Sequence, residues 1–233
     1  MDVTAQTIEP GSGRSVRYPV IQTMPHDALN LLEQFGTTVS VRADREIHAQ
    51  GDDANCCYRV MSGCVRMVNL MEDGRRQIGE FLVAGDLFGF DALRTYDFAV
   101  EAVSDVVLRR YPRRMVDALA ESNTGLARRL RDLTSSSLRM AHTRLLLLGR
   151  KTASERIATF LLEMAERLPP GQPAVLQLPM NRTDMADHLG LTVETVCRVL
   201  AHLRRAGTIV IERNSIAIRD GVALQQIASA PRH

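Results

Sequence analysis

A chain of 233 residues has room for two domains, each with a core of real size. Its composition, 45% hydrophobic and 24% charged, excludes wholesale disorder. The net charge of only +2 excludes a global basic field, so any surface for nucleic acid must be a local patch.

Residues 1–22 carry Pro, Gly, Ser and Arg without periodicity and are expected to form a flexible arm. They lack the basic start and apolar stretch of a secretory signal, and the longest apolar run of interest, Leu145 to Leu148, is far too short to span a bilayer. A cytoplasmic location is expected, with no membrane partner and with the four cysteines reduced. A helix is expected from about Pro25 to Phe35, with Leu29, Leu32 and Phe35 inward.

From Thr37 to Leu108 the segments are short, often alternating, and punctuated by glycine at 51, 63, 74, 79, 85 and 89. Runs such as Cys57–Met61, Cys64–Val68 and Gln77–Leu82 read as strands of a β barrel or sandwich. After Pro112 the period changes to that of a helix, expected from about Arg113 to Leu148 with a break at Asn123–Gly125. Leu126, Leu130, Leu133, Ser137, Met140, Arg144 and Leu147 are spaced 4-3-4-3-4-3, a heptad seam. The seam predicts dimerisation through Leu126, Leu130, Leu133, Ser137, Met140 and Leu147. A helix packed on its own β domain carries the same stripe. Gly149 marks the expected hinge, and a further helix runs from Ala153 to Leu168, ended by Pro169-Pro170-Gly171.

The stretch Arg182 to Leu200 divides into two helical patterns joined at Gly190, a residue able to take positive φ. Asn181 and Thr192 are placed to cap the two helices. Val196, Val199, Leu200 and Leu203 form the buried stripe of the second, leaving Glu194, Thr195, Cys197, Arg198 and Arg205 toward a partner. An ordinary corner between two packed helices has the same outline. Two features favour a helix-turn-helix whose second helix reads double-stranded DNA in the major groove. Glu194 accepts from cytosine N4 and Arg198 bonds guanine O6/N7, and their four-residue spacing puts them on one face. The strands Thr208–Glu212 and Ser215–Ile218 then flank Arg213-Asn214 as a hairpin, which makes the motif a winged helix.

These parts together resemble the CRP/FNR family of bacterial transcription regulators, over residues 25–225. The motifs that carry the likeness are Gln50-Gly51-Asp52, Ser62-Gly63, Gly85-Asp86-Leu87-Phe88-Gly89 and Leu189-Gly190-Leu191-Thr192-Val193-Glu194-Thr195-Val196-Cys197-Arg198. The last is similar to the FNR branch, which has serine where Cys197 stands, and the whole is most similar to FixK-type regulators of rhizobial microaerobic and nitrogen-fixation genes. The resemblance implies an α+β fold: an N-terminal antiparallel β-roll like a cyclic-nucleotide-binding domain (23–112), a dimerisation helix (113–149) and a winged helix-turn-helix (150–233). It further implies a homodimer on a palindrome whose outer TTG/CAA steps are read by Glu194 and Arg198. Arg182, Thr192 and Thr195 would then touch phosphate or flanking bases, and RNA polymerase would be a partner. Val193 replaces a base-reading arginine of the CRP branch, so that contact is lost here.

No cofactor is expected. Cyclic nucleotide needs a phosphate-binding arginine where this chain has Tyr96-Asp97-Phe98-Ala99-Val100-Glu101, an acidic and aromatic run. Arg94 lies slightly upstream. An iron–sulfur cluster needs about four cysteine ligands, and residues 1–55 contain none. His48, the one histidine of the β segment, is expected to be structural. Cys197 stands apart: beside Arg198 near the start of the second helix, it is in a setting that favours thiolate and hence oxidation, which would add bulk and charge against phosphate. A small residue that merely permits close backbone approach is the alternative. Catalysis is not expected, since the chain offers no recognisable Ser/His/Asp set, metal-ligand spacing or phosphate loop. A regulator that responds to a cyclic nucleotide or another small ligand in the β domain is the alternative function.

Overall fold

A computed structural model of the chain describes residues 31–90, 92, 94–168, 175–212 and 215–229. The arm over 1–22, Leu29, the Pro169-Pro170-Gly171 stop and the Arg213-Asn214 turn lie outside these residues, and the first helix is described only from residue 31. There Leu32 is fully buried and Phe35 half-buried.

Two four-stranded antiparallel sheets follow. One has the order β1 (Thr37–Val41), β8 (Val106–Pro112), β3 (Cys56–Ser62), β6 (Leu87–Phe88). The other has β2 (Glu46–His48), β7 (Ala99–Ala102), β4 (Cys64–Leu70), β5 (Arg76–Val83). Val60 and Leu108 of the first sheet meet Val65, Leu82 and Val100 of the second in one apolar cluster. The outer face of the second sheet is covered too, because Cys64, Val68, Ile78, Phe81 and Val83 pack against the C-terminal helices. A sheet buried on both faces needs apolar residues at consecutive positions, which is why β4 and the end of β5 do not alternate.

The expected break in the long helical segment falls at Asn123, which ends α1 (Arg113–Ser122) and caps α2 (Thr124–Arg150). Its side chain accepts from the Leu126 N–H at 2.9 Å. The heptad stripe of α2 faces the chain's own body. Leu126 lies in a cluster with Leu32, Cys57 and Tyr111, with Leu130 and Leu133 packed on it. Met140 packs on the inter-sheet cluster, and Leu147 is buried. Ser137 is exposed. The large apolar residues that α2 presents outward are instead Leu138, Leu145 and Leu146, at 58%, 68% and 66% exposure. Two stripes thus share the helix: the inner one packs on the β domain and the outer one is exposed.

Gly149 lies inside α2 and does not end it. The chain turns at Lys151–Thr152, where Thr152 and Glu155 form a reciprocal cap that starts α3 (Ala153–Arg167). Beyond it β9 (Val175–Gln177) pairs with β11 (Ser215–Ile218), which pairs with β10 (Ile209–Glu212). Between β9 and β10 run α4 (Arg182–Leu189) and α5 (Val193–Arg205). A final helix, α6 (Gly221–Ser229), has no counterpart in the sequence expectation. Asp220 starts it by accepting from the Ala223 N–H, and Leu224 and Ala228 bury against the C-terminal core.

Candidate nucleic-acid interface

The helix-turn-helix is set by three local devices. Asn181 accepts from the Asp184 N–H at 2.9 Å, while the Asp184 carboxylate reaches back to the Asn181 N–H, a capping box that starts α4. Gly190 ends α4 in the left-handed region, with φ 60° and ψ 46°, a conformation costly for any residue with a Cβ. Thr192 then accepts from the Thr195 N–H at 3.2 Å and starts α5. Met185, Ala186 and Leu189 of α4 and Val196, Val199, Leu200 and Leu203 of α5 share one core, so the two helices pack as a unit.

That burial leaves one face of α5 open. Glu194, Cys197 and Arg198 are exposed on its first two turns, followed by His202, Arg204 and Arg205. Thr195 is half-buried between Glu194 and the core. Among the described residues no ion pair joins Glu194 to Arg198; the Arg198 guanidinium instead donates to the Thr195 hydroxyl at 3.4 Å. Both charged groups are therefore available to a third party. The Glu194 carboxyl is held below its ordinary range by its own backbone N–H and then by the Thr192 hydroxyl. Arg182 sits half-buried at the start of α4, its Nη1 3.7 Å from Met185 Sδ. Burial lowers its pKa, and the Cys197 charge opposes that shift. The wing strands register Ile209 opposite Ile218 and Glu212 opposite Ser215.

The head is tied to α2 by Arg156, a residue to which no sequence pattern pointed. Its guanidinium donates to the carbonyls of Leu148 at 2.7 Å, Lys151 at 3.0 Å and Leu189 at 2.9 Å. The ends of α2 and α4 thus converge on one cation, the charge that helix C-termini favour.

The β domain contains a cavity of about 450 Å³ between its second sheet and α2. Its walls include Met67, Leu82, Phe88, Phe98 and Met140. Among the described lining residues Arg144 is the one guanidinium, and its Nη1 lies 2.7 Å from His188 Nε2. Burial pushes the Glu80 carboxyl at the cavity wall up to about 8, against the pull of Arg167. His48 is buried with its ring stacked on Tyr96, centroids 3.6 Å apart. Cys57 and Cys64 are buried, Cys56 is half-buried and Cys197 alone is exposed. Burial raises the Cys64 thiol to about 12. Among the described residues no group of three or more His, Cys, Asp or Glu is placed to hold a metal ion.

Family models match both halves of the chain, a Cyclic nucleotide-binding domain over residues 38–123 and a Crp-like helix-turn-helix domain over 155–227. The nitrogen fixation regulation protein FixK of Rhizobium meliloti is 42% identical over 181 residues, 76% of each chain. The chain belongs to the CRP/FNR family. Its members among the relatives are transcription regulators and activators, and this CRP/FNR chain is a DNA-binding transcription regulator, not an enzyme. FixK of Azorhizobium caulinodans is 41% identical over 84% of this chain and 80% of that one. The structure of FixK2 from Bradyrhizobium japonicum superposes with a TM-score of 0.81 at 40% identity, over 84% of this chain and 99% of that chain. No helix among the described residues is long and apolar enough to cross a membrane.

Proposed function

We propose that this regulator binds, as a homodimer, a palindromic operator with outer TTG/CAA steps and activates transcription with RNA polymerase in the cytoplasm. Arg198 bonds guanine O6 and N7, Glu194 accepts from cytosine N4, and Arg182, Thr192 and Thr195 hold the flanking backbone. The observation that carries this reading is the pair Glu194 and Arg198, exposed one turn apart and not bonded to each other. The partner helix of the dimer lies along the outer stripe of α2, where Leu138, Leu145 and Leu146 are uncovered. The names of the FixK relatives support a role in regulating nitrogen-fixation genes.

DNA binding in this reading needs no small-molecule effector. The cavity walls are mainly apolar, and their single described arginine is turned to His188, so a phosphate finds no free cation there. Control falls on Cys197, exposed on the reading face. Oxidation to sulfenic or sulfinic acid adds bulk and negative charge where DNA phosphates approach, and operator binding is lost. Gel-shift of the operator after peroxide tests this: wild type loses binding and Cys197→Ser keeps it. Equal loss in both proteins contradicts the assignment.

A second reading, regulation by a small ligand in the β domain, is favoured by the size of the cavity. A thermal-shift screen with cyclic nucleotides and small apolar acids separates the two. A ligand that raises Tm and also changes operator affinity selects the second.

A further inference from the structure

The reading head is fastened to the β domain by polar contacts between residues more than 100 positions apart in the chain. Arg66, in the middle of β4 and only 8% exposed, donates from Nε to Glu101 at 2.7 Å and from Nη1 to both carboxylate oxygens of Asp184 at 3.2 Å. Its Nη2 also lies 3.6 Å from Asp44. Arg76 of β5 donates from Nη2 to Asp184 at 2.8 Å and from Nε to Asp187 at 2.9 Å. Gln77 adds a bond from Nε2 to the Asp187 carbonyl at 2.5 Å. In the next residue, His188 Nδ1 lies 3.2 Å from the Ile78 carbonyl. Asp184, Asp187 and His188 of α4 are thus each engaged by β4 or β5.

The arrangement is chosen for direction more than for strength. Partly buried ion pairs contribute little net stability, because desolvation offsets attraction, but a planar guanidinium held by two carboxylates fixes an angle. Asp184 is 1% exposed and does two jobs, closing the cap of α4 and accepting from both arginines. The start of the helix and its orientation on the sheet are therefore one structural unit. Since α4 and α5 share a core, the tilt of α4 on β5 sets the direction in which α5 points.

We propose that Arg66 and Arg76 are positioning residues for DNA reading, gripping Asp184 and Asp187 so that the β domain presents α5 at a fixed angle. The proposal rests on α5 being the DNA-reading helix of a dimer. Two recognition helices must meet successive turns of one duplex face, about 34 Å apart, so a head with a loose base still fits one half-site but loses the geometry for two. In this way contacts remote from DNA govern operator affinity and half-site spacing.

The test uses the full-length protein and three duplexes: the operator, the operator with one base pair inserted at its centre, and a single half-site. Arg76 and Asp187 have side chains 27% and 25% exposed, and Asp184 keeps Arg66 when either is changed, so Arg76→Ala and Asp187→Ala leave no buried charge stranded. Each substitution is expected to lower operator affinity roughly tenfold and the double variant no further, the non-additivity of a shared contact. Half-site affinity is expected to stay as in wild type, and the penalty for the inserted base pair to shrink. Exchanging the charges, Arg76→Asp with Asp187→Arg, is expected to restore most of the operator affinity. Wild-type operator affinity and spacing preference in both single variants, with circular dichroism unchanged, overturns the proposal, as does an equal loss on operator and half-site. A wild-type protein that binds no operator at all removes the DNA reading instead, so the two failures are distinct.

Discussion

Arg198 donates to Thr195 one turn back, and Glu194 is polarised by its own N–H and the Thr192 hydroxyl, so neither neutralises the other. An i,i+4 pair of opposite charge on a helix surface ordinarily closes on itself. Its open form here leaves donor and acceptor free for base edges. Glu194→Ala and Arg198→Ala are each expected to cost about 1–3 kcal/mol in operator binding and to relax preference at one base pair per half-site. Competition binding against single-base operator variants checks this; unchanged selectivity in both would falsify the assigned roles. The residues of this face were legible in the sequence because caps, a glycine turn and a helical stripe are local signals. Arg66, Arg76 and Arg156 were not. An arginine flanked by apolar strand residues has no readable partner until the fold brings up Asp184, 118 positions away.

Helix α2 shows the same limit at the scale of an element. Its 4-3 spacing is read from the sequence as a dimer seam, but spacing carries no information about which surface covers the stripe. Leu126, Leu130, Leu133 and Met140 serve the chain's own clusters, while the uncovered residues lie on the neighbouring stripe. The two stripes call for opposite experiments. Leu126→Ala is expected to destabilise the fold by about 2–5 kcal/mol in denaturant titration and to leave oligomeric state unchanged. Leu145→Glu is expected to leave Tm of the monomer fold nearly unchanged and to give monomers by light scattering. A dimer that survives Leu145→Glu together with Leu138→Glu contradicts the outer stripe as the interface. The turn after α2 falls just beyond Gly149 for a related reason: glycine lowers helix propensity, yet the α2 ladder continues to a Leu147 carbonyl that accepts from the Lys151 N–H.

Across the whole molecule the sequence divides into two family domains, but one apolar cluster spans both. Cys64, Val68, Ile78 and Phe81 of the β domain and Ile157, Phe160, Met185 and Leu189 of the C-terminal part belong to one cluster. His188 stands at that junction with Phe81, Phe160, Ile78, Arg144 and Arg167 around it. Burial and then the Arg144 charge hold its pKa well below 6.5. The unfolded chain takes up a proton below about 6.5 that the folded chain refuses, so this site costs no stability above that pH. As pH falls below it, stability declines by up to about 1.4 kcal/mol per unit. Glu80 acts in the opposite sense: its raised folded pKa of about 8 means its contribution is complete at low pH and lost as pH rises toward 8. Melting curves of wild type and His188→Gln between pH 5.5 and about 7.5 separate the two. The variant is expected to lose less Tm on acidification, and parallel curves exclude His188 as the acid-sensitive group.

The account turns on α5 reading a two-fold symmetric site. Selection of binding sequences from random duplex DNA by the reduced full-length protein, repeated with Arg198→Ala, tests this directly. The expected result is a palindrome with TTG and CAA outer steps for the wild type, and loss of preference at one position in each half for the variant. Enrichment of an asymmetric sequence, or the same palindrome for both proteins, would contradict it.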